Sequence, residues 1–108
     1  MKAVFTMILI SAVLFYAAPL IAAGDAAAGK EIYTKKCASC HGAGEGKDTI
    51  AKMLKVEFKH LGSKEVQAKS DADLKKEILE GVGKMKPVKD VDAKAADDLV
   101  AYLRTLKK

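Results

Sequence analysis

The chain has 108 residues and a mass of 11.5 kDa, room for one small domain, with 19 Lys and Arg against 14 Asp and Glu. Half of its residues are apolar, yet positions 1–23 hold 19 of them and 12 of the rest are alanine. The 23 larger apolar side chains left, none of them Trp, exclude a large enzyme or a multidomain receptor and call for a non-protein core filler.

In chain order the N-terminal stretch comes first. Lys2 supplies a positive start, Ala3–Ala18 is almost unbroken apolar, Pro19 stops it, and small residues follow at Ala22, Ala23 and Gly24. This is the layout of a secretory signal peptide over residues 1–23, with cleavage between Ala23 and Gly24. An uncleaved membrane anchor is the alternative, because about 20 apolar residues can span a bilayer. Either way the remainder, residues 24–108, is exported, and the periplasm is the expected compartment.

Without Lys2 the basic side chains number 18 against 14 acidic ones, a balance of +4 with the signs interleaved. Nucleic-acid binders carry a basic stripe or a known module, and neither is present. Export permits disulfides, but the only possible pair is Cys37 with Cys40, and closing so short a loop adds little stability. The two cysteines therefore serve another purpose.

The patterning predicts an all-α domain of three or four short helices. The first runs from about Asp25 to Cys40, with Gly29, Ile32, Tyr33 and Cys37 on one side, and ends at the glycine-rich Gly42–Gly46. A weaker helix covers Thr49–Lys55, with Ile50, Met53 and Leu54 as its apolar face, and residues 56–69 read mostly as loop. Ser70 caps a third helix that carries Leu74, Ile78 and Leu79 and stops at Gly81. The last opens at Asp92 and carries Ala95, Ala96, Leu99, Tyr102, Leu103 and Leu106, with Arg104, Lys107 and Lys108 in its final turns.

The chemistry lies in Cys37-Ala38-Ser39-Cys40-His41. A Cys-x-x-Cys-His run in an exported chain reads as covalent attachment of a c-type haem. Positions i, i+3 and i+4 share a helical face, so both thiols can form thioethers while the His41 imidazole becomes the proximal ligand of the iron. A thiol–disulfide site would need a βαβ context, and a zinc site would need four ligands. The sixth-ligand candidates are Met53, Met85 and His60. Met85 is favoured, because Gly81 and Gly83 let the backbone turn tightly and Pro87 stiffens the loop. Met53 reads as core filling and His60 as a loop histidine.

With these residues in view, the chain resembles a small class I cytochrome c of the bacterial periplasmic, single-haem kind, over essentially all of residues 25–107. The resemblance rests on the CASCH run, the Gly81–Met85 loop, the final LVAYLRTLKK helix and the total length. It implies first and last helices crossing where Gly29 and Tyr33 meet Leu99 and Tyr102. Many members also fix the proximal histidine through a proline carbonyl. Here the only prolines are Pro19 and Pro87, so some other carbonyl between Ala43 and Leu61 is expected to orient His41.

The function so implied is that of a soluble, monomeric one-electron carrier, not an enzyme, cycling one haem between Fe(III) and Fe(II) with His/Met ligation. Its partners would be larger redox proteins, docking at an edge ringed by Lys35, Lys36, Lys47, Lys84 and Lys86. A haem sensor with a labile sixth ligand and a membrane-tethered redox module are the alternatives.

Overall fold

The structure, a computed structural model, describes residues 24–108; the signal-peptide reading and its cleavage point concern residues outside this range. Six helices follow in order: α1 (Ala26–Lys36), α2 (Ala38–His41), α3 (Asp48–Leu54), α4 (Lys64–Gln67), α5 (Asp71–Glu80) and α6 (Ala93–Thr105). The only β pairing among the described residues is an isolated antiparallel bridge between Val82 and Met85. The domain is all-α.

Local chemistry sets the helix ends. Asp25, Ser70 and Asp92 each turn a side-chain oxygen onto backbone N–H groups in the first turn of α1, α5 and α6. Gly81 ends α5 at φ 82°, a conformation that glycine adopts without strain.

The core is built where α1 and α5 pack on α6. It comprises Tyr33, Leu74, Ile78, Ala96, Leu99, Val100 and Leu103, with Val66 added from α4. At the α1–α6 crossing a β-carbon on Gly29 would fall inside the Asp98 carbonyl, so the two backbones touch there. Tyr33 and Tyr102 close the crossing, their ring centroids 5.1 Å apart and tilted by 55°. The expected meeting of Gly29, Tyr33, Leu99 and Tyr102 is thus present.

Two polar arrangements complete the frame. Asp98, only 5% exposed, accepts the Asp25 N–H at 2.8 Å and the Lys94 ammonium at 3.3 Å, pinning the start of α1 to α6. Arg104 donates to the Asp71 carboxylate and to the Gln67 and Lys69 carbonyls, while the Gln67 amide donates to the Leu61 and Leu103 carbonyls. Together they sew the 61–71 segment onto α6.

The structure departs from the sequence reading in four places. The first helix is not continuous to Cys40: it breaks at Cys37, whose φ of −114° is stretched from the usual helical value, and resumes as α2. No glycine or proline causes this. Tertiary contacts impose it, seating the adjacent Cys37 and Ala38 together on the core while the Tyr33 hydroxyl, at 2.7 Å, holds the Gly42 carbonyl beyond the break. Residues 56–69 contain a further turn, α4, capped by Ser63 and carrying the buried Val66. Helix α6 stops at Thr105, leaving Lys107 and Lys108 beyond it.

Met53 supplies the fourth departure. It is no core filler, being 69% exposed. Ile50 and Leu54, four apart, define the half-buried face of α3, and Met53 lies about 100° round the helix from Leu54.

Candidate functional site

The Cys37–His41 run occupies a single turn hinged at Cys37. The Cys37 carbonyl accepts the N–H groups of both Cys40, at 3.2 Å, and His41, at 2.9 Å. The helix break therefore preserves the i, i+3, i+4 relation that places Cys37, Cys40 and His41 on one side. Both cysteines are free and half-buried.

Burial, with a smaller contribution from Cys40, pushes the Cys37 thiol up to about 11. Such a thiol is protonated near neutrality, the opposite of what a thiol–disulfide exchange site needs. Among the described residues no three His, Cys, Asp or Glu side chains gather as they would around a metal ion.

His41 is held by packing. Its ring meets the edge of Phe58 at 5.2 Å and 68°, and Phe58 in turn lies so close to Gly46 that a β-carbon there would strike it. Burial lowers the imidazole below its ordinary value, which favours the neutral, metal-ligating form. Its Nδ1 is buried without a hydrogen-bond partner among the described residues. The carbonyl expected between Ala43 and Leu61 is accordingly not found, and the aromatic edge of Phe58 positions the ring instead. Buried ring nitrogens are normally bonded, so this open donor set marks the turn as a place where the protein's own contacts are incomplete.

Met85 comes from a separate segment. Val82 and Met85 exchange reciprocal backbone hydrogen bonds of 3.0 and 2.9 Å, closing a two-residue hairpin whose tip is Gly83-Lys84. Gly83 has φ 56°, the left-handed value that such a turn requires. At the base, Gly81 packs on the Met85 carbonyl and the Pro87 ring, and the Val88 N–H bonds to the Ile78 carbonyl at the end of α5. The two glycines thus make the tight turns anticipated for this loop, and Pro87 lies at its base.

His60 belongs to loop architecture. Its Nδ1 accepts the Gly62 N–H at 2.9 Å, and its ring packs beside Gly44. Sequence reasoning missed Phe58, Tyr33's bond to Gly42 and the buried Asp98. The Gly46–Phe58 pairing leaves no local signal, because twelve residues separate the two.

Two thiols and an imidazole in one turn are the donors that covalent haem attachment calls for, and among the described residues the clustering a zinc site demands is lacking. Comparison with known proteins agrees with this class. Residues 24–103 match the sequence profile of a family described as cytochrome c oxidase, cbb3-type, subunit III. Cytochrome c-554(547) of Halothiobacillus neapolitanus is 40% identical over 96 residues, covering 79% of this chain and all of that protein. A solved c-type cytochrome, KustC0563, superposes with a TM-score of 0.63 at 30% identity, covering 74% of this chain and 98% of the other. The chain belongs to the c-type cytochrome family. Its cofactor class is haem c and its role is haem-based electron transfer.

Proposed function

We propose that this chain is a mobile one-electron carrier with a single haem bound through Cys37 and Cys40 and with His41 and Met85 as axial ligands. The observation that carries the reading is the Cys37–His41 turn, which joins two free thiols to a neutral imidazole without a hydrogen bond at Nδ1. Bound there, haem supplies a reversible ferric–ferrous couple, and a neutral thioether ligand favours the ferrous form. The protein's part is to hold the group, fill both axial positions and keep water from the iron. No acid–base or nucleophilic side chain is required, so the chain is a carrier and not an enzyme.

The family match begins at residue 24, and the chain covers all of its Halothiobacillus relative with 79% of its own length. The family match thus leaves residues 1–23 outside the carrier domain; in our reading they are a leader removed before Gly24, and the carrier works in the periplasm as a monomer. No helix among the described residues is long and apolar enough to cross a membrane. Larger redox proteins would dock at the lysine-rich edge. Within that ring Lys36 is paired with Asp90 at 3.7 Å and Lys84 is tied to a carbonyl, leaving Lys35, Lys47 and Lys86 without an acidic partner within 4.0 Å among the described residues.

The test is the absorption spectrum of the exported protein together with its haem content per chain. One haem per chain, sharp reduced c-type bands and the weak far-red band of a sulfur-ligated ferric haem are the expected result. A c-type spectrum lacking the far-red band would remove Met85 from the ligand set.

A further inference from the structure

We propose that Lys84 is a positioning residue that clasps the methionine hairpin to the end of α3 and so keeps Met85 seated as a ligand. The inference rests on the reading of Met85 as the sixth ligand and adds to it the device that holds it.

The hairpin is firmly built at its base and thinly tied at its tip. Gly81, Pro87 and the Val88–Ile78 bond anchor the base to α5. At the tip, a β-carbon on Gly83 would meet nothing within 4 Å, so no packing steadies that side. Among the described residues one hydrogen bond joins residues 82–86 to a distant segment. It runs from the Lys84 ammonium to the Leu54 carbonyl, spans 30 residues of sequence and is 2.6 Å long.

The acceptor is well chosen. Leu54 is the last residue of α3, and Lys55 terminates that helix in the left-handed conformation at φ 54°. The turn uses the Ala51 and Lys52 carbonyls for the Lys55 and Val56 N–H groups, and no backbone N–H among the described residues takes the Leu54 carbonyl. A terminal carbonyl at the negative end of a helix is a natural partner for an ammonium. Lys84 precedes Met85 directly, so its tether limits how far the neighbouring thioether can swing away.

The holoprotein is compared with its Lys84→Gln, Lys84→Arg and Lys86→Gln variants by titrating the ferric forms with imidazole, a probe that competes for the sixth position. Loss of the far-red band follows its binding, and a denaturant midpoint is measured on each variant. Lys84→Gln should bind imidazole about tenfold more tightly, the effect of one charge-assisted hydrogen bond discounted for exposure. Lys84→Arg should stay near the parent because its guanidinium can still reach the carbonyl, and Lys86→Gln should match the parent. Imidazole affinity in Lys84→Gln equal to that of Lys86→Gln would overturn the clasp while leaving Met85 as ligand. Affinities that merely follow the denaturant midpoints would also overturn it, by reducing Lys84 to a general stabiliser. A parent protein without a far-red band would overturn the Met85 reading, and the clasp with it.

Discussion

Met53 and Met85 carry the same thioether, and only their surroundings separate them. Met53 stands 69% exposed on the outer side of α3. Met85 is half-buried in a hairpin that Gly81 and Gly83 turn and Pro87 follows. Replacing Met85 with Ala should leave haem attached, abolish the far-red band and open the ferric iron to imidazole. It should also lower the reduction potential, within the span of roughly 0.8 V over which axial ligands act. Met53→Ala should change none of these, and potentiometry of the two variants checks the contrast. The sequence marks Cys37, Cys40 and His41 because their spacing is local, and it singles out Met85 only through the glycines and proline around it. It misplaces Met53 because exposure depends on how α3 is rotated against the rest of the chain. The support of His41 is equally non-local: Phe58 takes the place of a proline carbonyl from seventeen residues away.

Among elements, the α1–α6 crossing governs where the Cys37 turn sits, and Gly29 governs the crossing. Alanine there gains about 1 kcal/mol of helix propensity. Its methyl group, however, would fall inside the backbone carbonyl of Asp98, which cannot swing aside as a side chain can. Overpacking of this rigid kind lies at the top of the usual range, about 3 kcal/mol. Gly29→Ala should therefore lose about 2 kcal/mol net, read as a lower denaturant midpoint; an unchanged midpoint would mean that the helices separate freely. On the opposite side of α6, Arg104 gathers the Asp71 carboxylate and two backbone carbonyls. Arg104→Ala should cost about 2 kcal/mol by leaving these acceptors to water and loosening the 61–71 segment, which accelerated amide exchange at Gln67 and Lys69 would report. Helices α1, α5 and α6 were readable from caps and apolar spacing. The break at Cys37 and the short α4 were not, since both are imposed by contacts distant in sequence.

At the scale of the whole molecule, a core of eight buried apolar side chains among the described residues is small, and its one phenol carries unusual weight. Tyr33 is 3% exposed, and burial above all raises its ionisation from 10.0 to about 12. Its hydroxyl also donates to the Gly42 carbonyl at 2.7 Å, linking α1 to the residue after His41. The folded state thus holds this proton more tightly than the unfolded chain, which releases it near pH 10. Stability contributed by the neutral phenol is complete below pH 10 and drains away as the pH rises toward 12. The loss reaches about 3 kcal/mol at most, from the linkage between a two-unit shift and free energy. Tyr33→Phe separates this effect from every other alkaline titration. The variant should be about 1 kcal/mol less stable than the parent at neutral pH, where it lacks the bond to Gly42. Across pH 10 to 12 its stability should fall less steeply, because it has no phenol to ionise at that position. Denaturant midpoints measured on both proteins at several pH values give the comparison. Convergence of the two curves on the alkaline side would place Tyr33 at the centre of alkaline unfolding, and parallel curves would exclude it.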